Sequence, residues 1–420
     1  MAQGIKRFTN VKNLKGLGRP LLEKCFERHQ GEITACGLVL PNPELEDDPY
    51  FEALSAVFGA PKLLPEQLNE FLNVVVEMAN DYGEARLKRA MAGVPMTWLD
   101  RKTKATTLDI VMQIGLEHPQ ILMEKHGEHR LVAMSSFQYY GTRIQPESRL
   151  SFAAATDEVL TATEGRLDRW FHENHRGNKT VRVRQQEMDG EWWYRIQHGG
   201  TSVRQATADE GRREIIHFRP DKEDVVVYSP ERDEIRVHAG SAAEREVYQQ
   251  EFGTFLRGDA VYFSARMSFT LMPLRTDVEA ALSTRGIPGL RAVRLVRLEI
   301  DEGNFFSDRT VKTSLDMVKS AAQRSVNGRT EEVVPRQGKL IGATFELDFE
   351  GAKKPRKVQV RLPNGLSVGR HADAGLVQEW LSKGNFREAS EEVATAKPRQ
   401  VRPAEPSVPT AAKQPGLNTN

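Results

Sequence analysis

Apolar residues recur along this chain at two different spacings, and the change of spacing divides it. Through residues 48–140 the period is helical. Phe51, Leu54, Val57 and Phe58 share a face that ends at Gly59. Leu68, Phe71, Leu72, Val75 and Met78 follow Pro65, a residue suited to a first helical position. Leu108, Val111, Met112 and Leu116 repeat the pattern before Pro119, and Leu122, Val132 and Phe137 extend it over Ile121–Tyr139. Upstream, Gly16-Leu17-Gly18-Arg19-Pro20 breaks the chain ahead of a short amphipathic helix, Leu21–Phe26. Residues 1–150 are therefore expected to be all-helical, with about four or five helices.

Beyond an apolar-faced helix at Asp157–Phe171, which stops at Gly177, the period falls to two. Thr180–Arg184 and Glu191–Ile196 alternate on either side of an Asp189-Gly190 turn, a strong hairpin signal. Glu214–Phe218 is expected to pair with Asp224–Tyr228, and Glu234–His238 follows the turn at Pro230–Asp233. Further strands are predicted at Ser268–Met272, Ala292–Ile300, Lys339–Phe349 and Arg356–Arg361. Helices are predicted at Ala242–Leu256, Asp277–Ser283, Thr310–Val326 and Asp373–Lys383. The fold class is thus α+β: a helical N-terminal part, then a mixed part over residues 151–386 built on a central, mainly antiparallel sheet. Helices interrupt the strands too irregularly for a barrel or a doubly wound sheet. From Arg387 the apolar period stops and Pro398, Pro403, Pro406, Pro409 and Pro415 punctuate a polar run. Residues 387–420 are expected to be a disordered tail, too poor in apolar surface to offset the entropy of ordering.

Composition narrows the class without naming an activity. Hydrophobic residues make up 39% and charged residues 28% of 420, so the chain can bury more than one core. No apolar run approaches the length of a membrane span, and no secretory pattern opens the chain. Cys25 and Cys36 are too few for a disulfide framework or a four-cysteine zinc site, which points to reducing cytoplasm. The net charge of +1 conceals an asymmetry. Residues 1–350 hold 47 Lys and Arg against 52 Asp and Glu, whereas residues 351–420 hold 12 against 6. A basic end on an acidic body suits contact with nucleic acid or an acidic partner. A solvated strand and a soluble tail are the simpler account, because the excess is small beside that of a true basic domain.

Candidate chemistry is scattered. His198-Gly199-Gly200, with Arg204 close behind, is the most suggestive loop. Paired glycines let backbone amides approach an anion, and Arg204 would supply charge. The competing reading is an ordinary turn. His126 and His129, at i and i+3 beside Glu124 and Glu128, could share a metal-facing side of a helix, yet no full zinc motif is present, so no metal ligand is assigned. His172 and His175 close a helix and suit a C-terminal cap. Glu346 and Asp348 share a strand face, as solvated carboxylates commonly do. Lys353, Lys354, Arg356, Lys357, Arg361 and Arg370 gather around a predicted hairpin that could lie along a phosphate backbone; an edge strand made unsticky by lysine reads the same way.

No nucleophile elbow, dinucleotide fingerprint or kinase signature is present, and no motif specifies a cofactor. Two functions follow. The first is a non-catalytic interaction subunit of a bacterial-type cytoplasmic assembly, of the kind found in defence or mobile-element systems, contacting nucleic acid or a protein. The second is a metal-dependent hydrolase or nuclease of unfamiliar type, with His198, Arg204, Asp224 and Glu234 converging around the central sheet.

Overall fold

A computed structural model describes residues 7–59, 64–94, 105–132, 134–142, 154–209, 212–265, 268–303, 308–324, 332–352, 354–368 and 374–387. Lys353, Arg370 and residues 388–420, which hold nearly all of the expected tail, lie outside that set.

The helical period is realised as α1 (Val11–Leu14), α2 (Arg19–Arg28), α3 (Gln30–Ala35), α4 (Asp47–Gly59), α5 (Glu66–Met78), α6 (Asp81–Ala90), α7 (Thr107–Glu117) and α8 (Pro119–Val132). Starts are set by side chains that satisfy orphan amides. The Asn80 carboxamide accepts from the Tyr82 and Gly83 N–H groups, and Thr106 and Asp109 form a reciprocal capping box. The apolar faces meet in one cluster that includes Leu22, Leu54, Phe58, Leu68, Leu72, Val75, Met78 and Val111.

Cys25 is buried in that cluster, and burial pushes its thiol up to about 12, whereas Cys36 is exposed. Measured against an ordinary value of 9.0, this lowers the thiolate fraction at neutral pH about a thousandfold, before access is considered. A chromogenic disulfide reagent should therefore label one thiol, Cys36, in the native protein and two after denaturation. Two fast thiols in the native state would contradict the packing around Cys25.

The rest of the described chain builds a single large antiparallel sheet with helices on both faces. Its elements are β1 (Ser136–Thr142), α9 (Asp157–Glu173), β2 (Arg182–Met188), β3 (Glu191–Gly199), β6 (Asp221–Ser229), β7 (Glu234–His238), α10 (Ala242–Arg257) and β8 (Phe263–Ser264). Then come α11 (Pro273–Thr276), α12 (Val278–Ala281), β9 (Leu290–Asp301), β10 (Arg309–Thr313), α13 (Met317–Arg324), β11 (Lys339–Phe349), β12 (Arg356–Arg361), β13 (Gly365–Val368) and α14 (Ala374–Lys383). The strand order is β10-β9-β11-β12-β13-β1-β7-β6-β3-β2, with β8 added beside β1. Among the described residues, the two intervening strands, β4 (Val203–Asp209) and β5 (Arg212–Phe218), pair only with each other, in a separate two-stranded ribbon.

Alternation decides which face each side chain occupies. One face carries Phe137, Trp193, Val225, Val227, Leu295, Leu298, Phe345, Val358 and Val360, and is covered by α11 to α14 with Trp380 and Leu381. Among the described residues, the opposite face is covered over β2, β3, β6, β7 and β1, where Tyr194, Ile196, Val226, Tyr228 and Ile235 pack on Leu167, Phe171, Tyr248 and Phe252 of α9 and α10. The helical part meets the first face through α8, whose Leu131 joins that core and whose Arg130 pairs with Glu223 at 3.1 Å.

Several sequence expectations change here. Helix was expected to run through Tyr139, but it ends at Val132, and Ser136–Thr142 becomes the strand that joins the two halves of the sheet. Phe137 and Tyr139 also fit a period of two, and cross-strand hydrogen bonds to β7 and β13 on both sides settle the choice. Glu214–Phe218 pairs with Val203–Asp209 rather than with Asp224–Tyr228, which lies between β3 and β7. The predicted helix over Thr310–Val326 is β10 followed by α13. Phe269 makes only an isolated bridge to Arg387 where a strand over Ser268–Met272 was expected. Arg387 itself is firmly held: it pairs with Glu234 at 3.2 Å, donates to Gln378 at 2.7 Å and sits over the Tyr139 and Phe269 rings.

Candidate functional site

The chemistry of the central sheet collects where β3 and β6 reach the start of α10. His198 ends β3 and stands directly across from Lys222 on β6, so His198, Lys222 and Asp224 share the α9–α10 face. His198 is fully buried, with Phe171 stacked on its ring at 4.1 Å between centroids. Its Nε2 lies 3.0 Å from Asp224 Oδ2, and its Nδ1 lies 3.0 Å from the Gly199 carbonyl. The Tyr248 hydroxyl donates to Asp224 Oδ2 at 2.8 Å. Burial first, and the Asp224 charge second, push the Tyr248 hydroxyl well above its ordinary range, so it stays a donor.

Glu244, in the first turn of α10, completes the group. It is 1% exposed, and Arg176 donates to its Oε1 at 2.8 Å from the turn that follows α9. Ligand atoms of His198, Asp224 and Glu244 all lie within 4.8 Å of one another, the one such group among the described residues. The sequence hid Glu244 in plain sight. Ser241-Ala242-Ala243-Glu244 reads as a capping box, and Ser241 Oγ does accept from the Glu244 N–H at 3.1 Å. The carboxylate, however, turns to Arg176.

The Gly199-Gly200 pair has a definite steric reason. A Cβ on Gly199 would sit 2.2 Å from the Arg176 carbonyl oxygen, so only glycine lets these two backbones meet. The Gly199 N–H donates to Thr180 Oγ1 at 3.2 Å and the Gly200 N–H to the Pro220 carbonyl at 2.7 Å. Both amides proposed for an anion are thus engaged inside the fold. Arg204 stands on the separate ribbon, exposed and across from His217. Glu234 falls on the other sheet face from His198, held by Arg387. Of the four residues grouped for an enzyme, the structure brings together His198 and Asp224, and adds Glu244, Tyr248 and Arg176.

Among the described residues, the pairs His126/His129 and His172/His175 join no cluster of potential metal ligands. His126 Nε2 meets Glu77 at 2.7 Å, and His129 is buried against the Tyr82 ring. Glu128 is taken by Arg86 and by Lys125, the latter at 2.6 Å. His172 lies in the last turn of α9, and the His175 carbonyl accepts from Arg219 at 2.7 Å. A cleft of about 490 Å³ between α2 and α7 is lined by Lys24, Glu27, Arg28, Gln113 and Glu117.

The basic hairpin is formed by β11 and β12, with Lys354, Lys357 and Arg361 exposed and Arg356 half-buried. β12 lies inside the sheet between β11 and β13 and is not an edge. Lys357 and Arg361 project from the uncovered part of the second face. Charges alternate there: Lys357 stands across from Glu346, Arg294 pairs with Glu346 at 3.3 Å, and Arg297 with Glu299 at 2.9 Å.

The β4–β5 ribbon carries the strongest surface signal. Ile215, Ile216 and Phe218 are 50%, 42% and 41% exposed. Register places Val203 across from Phe218 and Gln205 across from Ile216, so Val203, Ile216 and Phe218 form an apolar cluster at one end of a ribbon face that also carries Gln205, Thr207 and Glu214, while Arg204, Arg213 and His217 share the other face with Ile215. Over residues 203–218 three arginines balance three carboxylates.

No protein-family model matches this chain, and no curated protein matches it. No helix among the described residues is long and apolar enough to cross a membrane.

Proposed function

We propose that this protein is a non-catalytic interaction subunit of a larger assembly, and that it grips a protein partner through the apolar cluster of Val203, Ile216 and Phe218 on the β4–β5 ribbon. The observation that carries this reading is the exposure of Ile216 and Phe218 on a two-stranded sheet that pairs with nothing else among the described residues. An isolated ribbon is marginal in water, and apolar side chains that stay wet on it gain about 1.5–3 kcal/mol each when a partner buries them. A protein groove suits this better than a phosphate backbone for two reasons. The ribbon's formal charge is balanced, and the basic side chains of β12 are interleaved with Glu346 and Glu299. Nucleic-acid binding draws on a clear excess of Lys and Arg, which the ribbon lacks, and beside β12 Arg294 and Arg297 are paired with Glu346 and Glu299. Two free cysteines support a reducing, cytoplasmic setting.

The test places a photo-crosslinker at position 218 of the full chain in its native cells and compares it with one at Leu315, which is 91% exposed elsewhere. Crosslinks from 218 to one defined protein, lost in Ile216→Ser, with an unchanged melting temperature, are the expected result. Equal capture from both positions would refute the ribbon. Binding of DNA or RNA that weakens steeply with salt, and is abolished by Lys354→Glu, Lys357→Glu and Arg361→Glu together, would replace the protein partner with nucleic acid.

A further inference from the structure

The group His198, Asp224 and Glu244 has more internal order than the ribbon function uses. Both ring nitrogens of His198 face oxygen atoms that only accept: the Gly199 carbonyl at Nδ1 and Asp224 Oδ2 at Nε2, each at 3.0 Å. The geometry lets Nδ1–H donate to the Gly199 carbonyl while Nε2 and Asp224 Oδ2 bind one cation; without the cation, Nε2–H donates to Asp224 directly. Each of the three side chains is also steered by a second group. The Gly199 carbonyl lies against His198 Nδ1, Tyr248 donates to Asp224, and Arg176 donates to Glu244 Oε1, leaving Oε2 unoccupied by that contact. Outer partners of this kind are what orient metal ligands. The side chains come from three separate elements and all three residues are buried, so their convergence is set by the fold and not by chance proximity on a surface.

We propose that His198 Nε2 and the carboxylates of Asp224 and Glu244 form a site for one divalent transition-metal ion of the zinc class. One nitrogen and two carboxylates suit a borderline cation, and the absence of thiolate in the set disfavours the softest ones. The burial of all three ligands makes the site structural: an ion there ties β3 and β6 to the start of α10 and closes the junction between sheet and helix.

The full-length protein, stripped by chelator, should take up one equivalent of Zn2+ in a competition titration, with a rise in melting temperature that chelator reverses. X-ray absorption of the loaded protein should show nitrogen and oxygen neighbours with no sulfur. Tyr248→Phe keeps the ring in the core and removes only the outer hydrogen bond, so it should fold and bind Zn2+ about 10–100-fold more weakly. Asp224→Asn should lose the equivalent altogether. No uptake by the wild-type chain of either Zn2+ or Mn2+, a sulfur-containing shell, or an unchanged affinity in a folded Asp224→Asn protein would each overturn the site.

Discussion

Replacing Asp233 by alanine is expected to remove about 3–5 kcal/mol of stability, because it strands a buried charge. Arg257 and Asp233 are 9% and 7% exposed at their side chains and meet at 2.6 Å. The same carboxylate accepts from the Tyr228 hydroxyl at 2.9 Å and from the Tyr262 hydroxyl. Burial leads the causes that push both hydroxyls above their ordinary range, so both remain donors and neither can take over the role of Asp233. Asp233 also has φ 47°, where alanine adds about 1–2 kcal/mol of backbone strain. Asn at this position tolerates that backbone and keeps an acceptor, so Asp233→Asn should fall well short of the alanine loss. Urea unfolding of the three proteins checks the order. An alanine variant within 1 kcal/mol of wild type, on the scale of an exposed ion pair, would mean that Arg257 finds water instead.

Trp380→Ala should be of similar size, about 3–5 kcal/mol, for a different reason. Trp380 is fully buried, with Phe345 at 4.9 Å and Phe386 at 5.1 Å between ring centroids, where α14 closes over β11. Truncation leaves a cavity that this rigid aromatic cluster cannot collapse to fill, and loses ring contacts as well. The Trp380 indole N–H has no hydrogen-bond partner among the described residues. Trp380→Phe therefore removes an unsatisfied buried donor along with the excess ring volume, and is expected to cost much less than alanine. Thermal unfolding of both variants settles the comparison, and equal losses would show that the indole N–H is satisfied in solution.

Much of this architecture was legible in the chain. β11 and β12 fall where strict alternation predicted them, and α9, α10 and α14 begin within a residue or so of their predicted starts. These segments have one wet face and one dry face, so local periodicity and burial agree. The segments that misled are those whose own period does not decide. Ser136–Thr142 is short, its apolar residues satisfy helical and strand spacing alike, and neighbours far off in sequence chose the strand; Arg309–Thr313 has one apolar residue, Val311, and pairs with the preceding strand β9. Glu214–Phe218 was expected as a strand but with the wrong partner, because pairing partners are not written in a strand's own residues. Ile215 and Ile216 read as core until the fold leaves them outside.

The site divides in the same way. His198 and Asp224 were both noticed, one for its glycines and the other as a strand carboxylate, with no local reason to join them. β3–β6 register brings His198 and Asp224 onto one face, and the same alternation sends Glu234 to the other. Glu244 and Asp233 carried the signatures of a cap and a turn, and each does hold that backbone position while its carboxylate neutralises an arginine from elsewhere in the chain. Local sequence determined the elements, their wet and dry sides and their ends, because those depend on neighbours within a few residues. Tertiary structure alone decided which charges are buried together and which apolar side chains stay exposed, because both depend on contacts between residues far apart in the chain.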